Sequence, residues 1–143
     1  MDGPITVRPC AEADVEAVLA LWARAAAPHS KPDTPEGVLV RLRRDRELFL
    51  IAFDGDAIVG SLMAGWDGWR GNLYRMAVAP EHRRRGVARR LLEEAERRLV
   101  ALGCTRLYAS VVAASPGAAP FWEAEGYAPN VGLVEYAKDI GLG

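Results

Sequence analysis

The chain holds little of what several functional classes require. Its two cysteines, Cys10 and Cys104, are isolated and lack metal-ligand spacing. That argues against a disulfide-stapled scaffold and reads as two reduced thiols in or near the core of a cytoplasmic protein. No metal constellation accompanies the two histidines, His29 and His82, so both read as exposed loop residues and no metal is expected. Basic charge is not in excess: the formal net charge is −1, which argues against a general nucleic-acid binder. The apolar runs are far too short to span a bilayer, so no membrane partner is expected. The start, Met1-Asp2-Gly3-Pro4, lacks the basic and apolar regions of a signal peptide. Repeats, linkers and low-complexity tracts are absent too, and a single domain over residues 1–143 is expected.

What is present suits a globular domain with a sizeable core: 143 residues, half of them hydrophobic. Ile5-Thr6-Val7-Arg8 is a short β-rich segment ended by Pro9. Across residues 11–27, Val15, Val18, Leu19, Trp22 and Ala26 share one helical face, and Pro28 closes the helix. Thr34-Pro35 is an N-cap with proline at the first helical position. The helix it opens runs to about Arg46, basic on its exposed side. Residues 48–53 read as a buried strand, Asp54-Gly55-Asp56 as a tight turn, and residues 57–64 as the partner strand with a bulge at Gly60. Gly65-Trp66-Asp67-Gly68-Trp69-Arg70-Gly71 is a loop, and residues 72–78 are the next strand, closed by Pro80.

Val87, Leu91, Leu92, Ala95, Leu99 and Leu102 form the apolar stripe of a helix over residues 86–102, stopped by Gly103 at C′. Residues 105–112 read as a strand. Beyond Ser115-Pro116, Pro120 would fall in a helix's second turn and cost about 3 kcal/mol there. An irregular first turn is therefore expected, with regular helix from about Pro120 to Glu125 and a stop at Gly126. Tyr127 and residues 133–138 are expected to form closing strands around the turn at residues 129–132.

Between strand 72–78 and helix 86–102 lies the most informative stretch, Pro80-Glu81-His82-Arg83-Arg84-Arg85-Gly86-Val87-Ala88-Arg89-Arg90. It places backbone N–H groups and five arginines at a helix N-terminus, where the dipole favours an anion. The bland alternative is a solvated basic helix start.

With this arrangement the chain resembles the GNAT N-acetyltransferases over residues 5–138. The family pattern Arg/Gln-x-x-Gly-x-Gly/Ala stands here as Arg83-Arg84-Arg85-Gly86-Val87-Ala88, preceded by Met76-Ala77-Val78-Ala79-Pro80. Phe121-Trp122-Glu123-Ala124-Glu125-Gly126-Tyr127 matches a second family feature. Gly65-Trp66-Asp67-Gly68 matches a loop of small single-domain bacterial members. The resemblance implies an α/β (α+β) GNAT fold: a mixed, mostly antiparallel sheet of six to seven strands flanked by about four helices. It implies acetyl-CoA as cosubstrate and an amine as acceptor, with dimers common in the family. Backbone groups of Met76, Ala77 and Val78 would pair with the pantetheine arm. The N–H groups of Arg84, Arg85, Gly86, Val87, Ala88 and Arg89 would cradle the pyrophosphate, with Arg83 beside them. An N–H near Ala77 would meet the oxyanion. Ser115 stands where the family commonly has a coenzyme-side asparagine.

The departures bear on mechanism. Tyr74 occupies the position of the family's glutamate base, Ser110 that of an alternative glutamate, and Trp122 that of the tyrosine acid. The leaving thiol, with a pKa of about 8.5 if it resembles cysteine, departs with little help, and the Trp122 N–H can hydrogen-bond its sulfur. A lysine amine at about 10.4 is almost fully protonated at neutral pH, whereas an α-amine near about 7.8 is partly free. A site without a strong base therefore suits the second. Deprotonation through water at Asp67 or Glu135 competes with that reading, and Asp67 also suits a turn role. Trp66 and Trp69 suit either a cap on the sheet or a wall for the acceptor. The competing reading for the whole chain is a coenzyme A-binding regulatory module with little catalysis.

Overall fold

The computed structural model describes residues 4–25, 33–112, 115 and 117–141. The residues group into two compact units, 1–110 and 111–143. The first contains β1 (Ile5–Pro9), α1 (Val15–Arg24), α2 (Pro35–Arg44), β2 (Phe49–Asp54), β3 (Ala57–Trp66), β4 (Gly71–Val78), α3 (Val87–Ala101) and β5 (Leu107–Ala109). The five strands form one sheet in the order β1-β2-β3-β4-β5, antiparallel except for the parallel β4–β5 pair.

Helices cover both faces of the sheet, and consecutive β3 residues show why. Neighbouring strand residues point to opposite faces. A Cβ on Gly60 would lie 2.7 Å from Val87 Cγ1, so α3 packs there against bare backbone. Ser61, on the other face, meets Trp22 of α1. The α3 stripe of Val87, Leu91, Leu92, Ala95 and Leu99 is buried, but Leu102 is half exposed beyond the helix end. The expected stop at Gly103 has the paired bonds of a Schellman motif: Gly103 N–H to Val100 O at 3.0 Å and Cys104 N–H to Leu99 O at 3.1 Å. On α1 the buried residues are Val15, Val18, Leu21 and Trp22 rather than Leu19. Trp22 stacks on Phe49 at 6.4 Å between centroids. Ala26 and His29 lie outside the described residues. Thr34 caps α2 as expected, its hydroxyl accepting from Gly37 N–H at 3.0 Å, but the helix stops at Arg44.

Two ladder irregularities matter. Ala52 pairs with Gly60 and Phe53 with Ile58, leaving Val59 as the extra residue of a bulge beside the expected glycine. A second, unexpected bulge lies in β4: Met63 pairs with Tyr74 and Ser61 with Ala77, so Arg75 and Met76 oppose Leu62 alone.

The second unit holds α4 (Ala118–Ala124). The helix begins at Ala118, behind a left-handed Gly117 and slightly before the regular helix expected from about Pro120, so Pro120 is third in the first turn. Helix N–H groups there have no intrahelical acceptor, and proline removes nothing. The Phe121 N–H to Gly117 O bond, 3.2 Å, follows directly. Gly126 ends the helix as expected, and Trp122 makes edge contacts with Phe121 and Tyr127.

The strand count corrects an expectation. The described residues contain five strands rather than six or seven, and Tyr127 and residues 133–138 are irregular. Strands exist only by pairing, and among the described residues α4 is the only regular element in their unit. Val131, Leu133, Val134 and Tyr136 are all exposed. Residues 105–112 likewise yield only the three-residue β5, because its partner segment is only Gly71, Asn72 and Leu73.

Both cysteines are free and buried. Burial pushes the Cys10 thiol up to about 12. Alkylation by iodoacetamide at pH 8 is therefore expected to await unfolding, a lag that mass spectrometry with and without urea would measure. At Gly71 a Cβ would sit 2.5 Å from Leu107 Cδ2 and 2.6 Å from Cys104 Sγ. Gly71→Ala is expected to destabilise by about 1–3 kcal/mol, read as a lowered urea midpoint.

Candidate functional site

The β4 bulge sets the geometry of the first unit's site. Arg75 has φ 58°, a left-handed conformation that side chains rarely adopt. The parallel ladder with β5 ends at Leu73, with Ser110 N–H reaching Leu73 O at 3.0 Å. Among the described residues, no strand pairs with the β5-side edge of Met76, Ala77 and Val78. β4 then runs through Ala79 and a 3-10 turn at Pro80–His82 into α3.

The turn before α3 is held open at its helical end. Arg84 (φ 66°) and Gly86 (φ 78°) are both left-handed, and the first bond into the helix is Arg90 N–H to Gly86 O at 3.0 Å. The N–H groups of Gly86, Val87, Ala88 and Arg89 therefore have no intrahelical acceptor. No acidic residue lies in that first turn. Cations at the positive end of a helix are electrostatically misplaced unless an anion joins them. The arginines divide by role. Arg89 pairs with Glu93 at 3.2 Å, and Arg90 donates to Ile5 O at 3.0 Å. Arg85 donates to Asp54 Oδ2 at 3.0 Å, and His82 Nε2 lies 3.2 Å from the same oxygen. Arg85, followed by His82, holds Asp54 below the usual carboxylate range. His82 is thus not the exposed loop residue its context suggests: it is part-buried and ties the turn to the end of β2. Among the described residues, Arg83 and Arg84 are exposed and make no ion pair.

A groove of about 230 Å³ opens between the end of α2 and the β3–β4 connection. Tyr74 and Asp67 both line it, with Trp66, Asn72, Arg41 and Asp45. Arg41 points inward although its helix reads as basic outside: only 14% of its side chain is exposed. Its Nε donates to Tyr74 Oη at 3.0 Å, Nη1 to Asp45 Oδ2 at 3.2 Å, and Nη2 to Ala64 O. Asp67 Oδ1 accepts the N–H groups of Arg70 at 2.6 Å and Trp69 at 2.7 Å. These two bonds, Arg70's first, hold its carboxyl below the ordinary range. Trp69 is 82% exposed and outside the groove lining, so Trp66 alone supplies an aromatic wall from that loop.

Ser115, Trp122 and Glu135 belong to the second unit. Ser115 is exposed, with its backbone turned onto Val112 O, Trp122 is buried and Glu135 is exposed. Among the described residues no three His, Cys, Asp or Glu side chains could hold a metal ion, and no helix is long and apolar enough to cross a membrane.

Arg41, Asp45, Ser61 and Arg75 escaped the reading of the sequence. For α2 a signal existed: Val38, Arg41, Leu42 and Asp45 fall at i, i+3, i+4 and i+7, and Val38 and Leu42 are buried, so the other two share the inward face. Ser61 is the lone polar residue in the apolar run 57–64, apart from Gly60.

Residues 15–127 match the model of the Acetyltransferase (GNAT) family. An acetyltransferase of Pectobacterium atrosepticum is 39% identical over 98 residues, 68% of this chain and 70% of that protein. Two solved structures share the fold. The PaiA N-acetyltransferase of Thermoplasma acidophilum in complex with coenzyme A has TM-score 0.76 and 19% identity, covering 86% of this chain and 89% of that one. The ribosomal-protein-S18-alanine N-acetyltransferase of Escherichia coli has TM-score 0.74 and 21% identity, covering 86% and 77%. The family pattern falls on the turn that leaves the first N–H groups of α3 without an intrahelical acceptor, and this chain belongs to the GNAT family of acetyltransferases.

Proposed function

We propose that this chain transfers an acetyl group from acetyl-CoA to a primary amine by direct attack on the thioester. One observation carries the reading: the β4 edge left open after the Arg75 bulge leads straight into a helix start rich in unsatisfied N–H groups. The pantetheine arm would lie along Met76, Ala77 and Val78, bonding to the backbone as an added strand does. The pyrophosphate would take the N–H groups of residues 84–89, with Arg83 and Arg84 supplying charge. The family resemblance also assigns Ser115 and Trp122, both in the second unit, to coenzyme binding. The family match spans both units, which supports treating them as one catalytic domain.

In the reaction the amine lone pair attacks the thioester carbon. The carbonyl oxygen becomes an oxyanion near the Ala77 N–H, the C–S bond breaks, and coenzyme A leaves as thiolate or thiol. The amine must lose a proton, and Tyr74 is the groove residue we assign to relay it: the free lone pair of its oxygen takes the amine proton as its own hydroxyl proton passes to the departing thiolate or to water, and the phenol ends neutral. Arg41 Nε occupies one lone pair of the phenol oxygen and leaves the hydroxyl proton and a second lone pair for the acceptor. Asp67 is assigned to the turn: its depressed pKa makes it a weak base. With no strong base, an amine of low pKa is the favoured acceptor, and the groove suits a small head group. Two buried, unpaired thiols support a cytoplasmic location.

Acetyl-CoA at 100 times its dissociation constant should stabilise the protein by about 2.7 kcal/mol in thermal unfolding. No shift would remove the coenzyme reading, and thiol release across a panel of amines separates an enzyme from a binding module. Tyr74→Phe is expected to lower kcat by about 10²-fold, the low end for a positioned proton-transfer group, with KM for acetyl-CoA unchanged. Asp67→Asn, whose amide oxygen still accepts the two turn N–H groups, should retain kcat at every pH. The reverse ranking would move the proton chemistry to Asp67.

A further inference from the structure

Among the described residues Ser61 is the only polar side chain in the buried core, at 0% exposure. Its hydroxyl donates to Arg75 O at 2.9 Å and accepts from Trp22 Nε1 at 2.8 Å. Both neighbours need it. A buried indole N–H without an acceptor, or a buried carbonyl without a donor, costs about 1–3 kcal/mol. The carbonyl is not an ordinary one: it belongs to the left-handed residue of the β4 bulge. A non-glycine residue held there costs about 1–3 kcal/mol and persists only when its surroundings over-determine it.

Trp22 grips that residue a second time. The Arg75 guanidinium carbon lies 4.9 Å from the Trp22 ring centroid, and the same guanidinium pairs with Asp33. One indole therefore fixes Arg75 from both ends, through Ser61 to its carbonyl and through its ring face to its side chain. Two residues further along β4 is Ala77, whose neighbouring Met76 and Val78 flank the open edge.

We propose that Trp22 and Ser61 are positioning residues for the thioester: their hydrogen-bonded relay locks Arg75 left-handed and so sets the direction in which Met76, Ala77 and Val78 present their backbone to the pantetheine arm. The proposal rests on the coenzyme reading given above. It makes α1 a structural partner of the acetyl-CoA site through the Trp22–Ser61 hydrogen bond. It also explains why an apolar strand spends a buried position on a hydroxyl.

The test uses Ser61→Ala, Trp22→Phe and the double variant, with Ser61→Thr as the variant that keeps the hydroxyl. Phenylalanine retains an aromatic face for Phe49 and Arg75 and loses the indole N–H. Calorimetric titration with acetyl-CoA, thermal unfolding and steady-state kinetics are read on each. Both single variants should weaken acetyl-CoA binding about tenfold, equivalent to about 1.4 kcal/mol, and raise its KM while leaving KM for the amine unchanged. The double variant should be no more than about twofold worse than either single, because one relay is broken only once. Ser61→Thr should bind as the parent does. Lower melting temperatures with parent-like acetyl-CoA affinity would overturn the proposal, as would additive losses in the double variant. If Ser61→Ala does not fold, Trp22→Phe decides by the same affinity criterion. Failure of the parent protein itself to bind acetyl-CoA would instead overturn the coenzyme reading.

Discussion

The hydrogen bond from Ser61 to the carbonyl of Arg75 is the interaction on which the arrangement of this protein turns. It stabilises a backbone conformation that β4 would not adopt alone. Because two β4 residues there face one on β3, the strand changes direction after Tyr74. Before the bulge, β4 is flanked on both sides, by β3 and by β5. After it, β3 remains and the other edge is open. An unpaired edge is a liability for most sheets because its N–H and C=O groups invite another strand. Here it is short, lies in the sheet interior order rather than at its end, and suits an extended amide-bearing ligand.

The same strand delivers the chain to α3, and electrostatics takes over from strand pairing. Gly60 brings α3 close to the sheet, so the helix start is fixed by apolar packing of Val87 and Leu91 rather than by charge. That packing lets the turn keep Arg83 and Arg84 exposed at the positive end of a dipole. Asp54 offsets part of the repulsion by accepting from Arg85 and pairing with His82 at the end of β2. Arg85, which anchors the turn, thus differs from Arg83 and Arg84, which stay exposed.

On the other side of the bulge, the Arg41 network joins α2 to β3 and β4. A guanidinium with most of its surface buried needs partners for its fixed fork of donors, and a phenol, a carboxylate and a backbone carbonyl supply them. The phenol of Tyr74 is consequently oriented by its neighbour rather than left to rotate. One groove therefore carries a fixed hydroxyl, an aromatic wall and a carboxylate committed to a turn, which is a sparse set for proton transfer.

Features that depend on neighbours along the chain were legible in the residues. The Thr34-Pro35 start of α2, the α3 stripe from Val87 to Leu99, the Gly103 stop and the glycine turn before α3 all follow from spacing and from the conformational preferences of single residues. So did the family resemblance, since its motif is continuous. What the sequence by itself determined is therefore the order of elements as far as α4 and the place of the glycine turn before α3. Only the tertiary structure decided that β4 bulges at Arg75, that Arg41 turns inward, that His82 is anchored and that residues 133–138 form no strand. Each of those depends on partners far away in the chain: Ser61 and Trp22 for Arg75, Tyr74 for Arg41, Asp54 for His82, and a pairing strand for residues 133–138. The physical reason is common to all four: a hydrogen bond or ladder has no energy until both members meet, and sequence periodicity records only one of them.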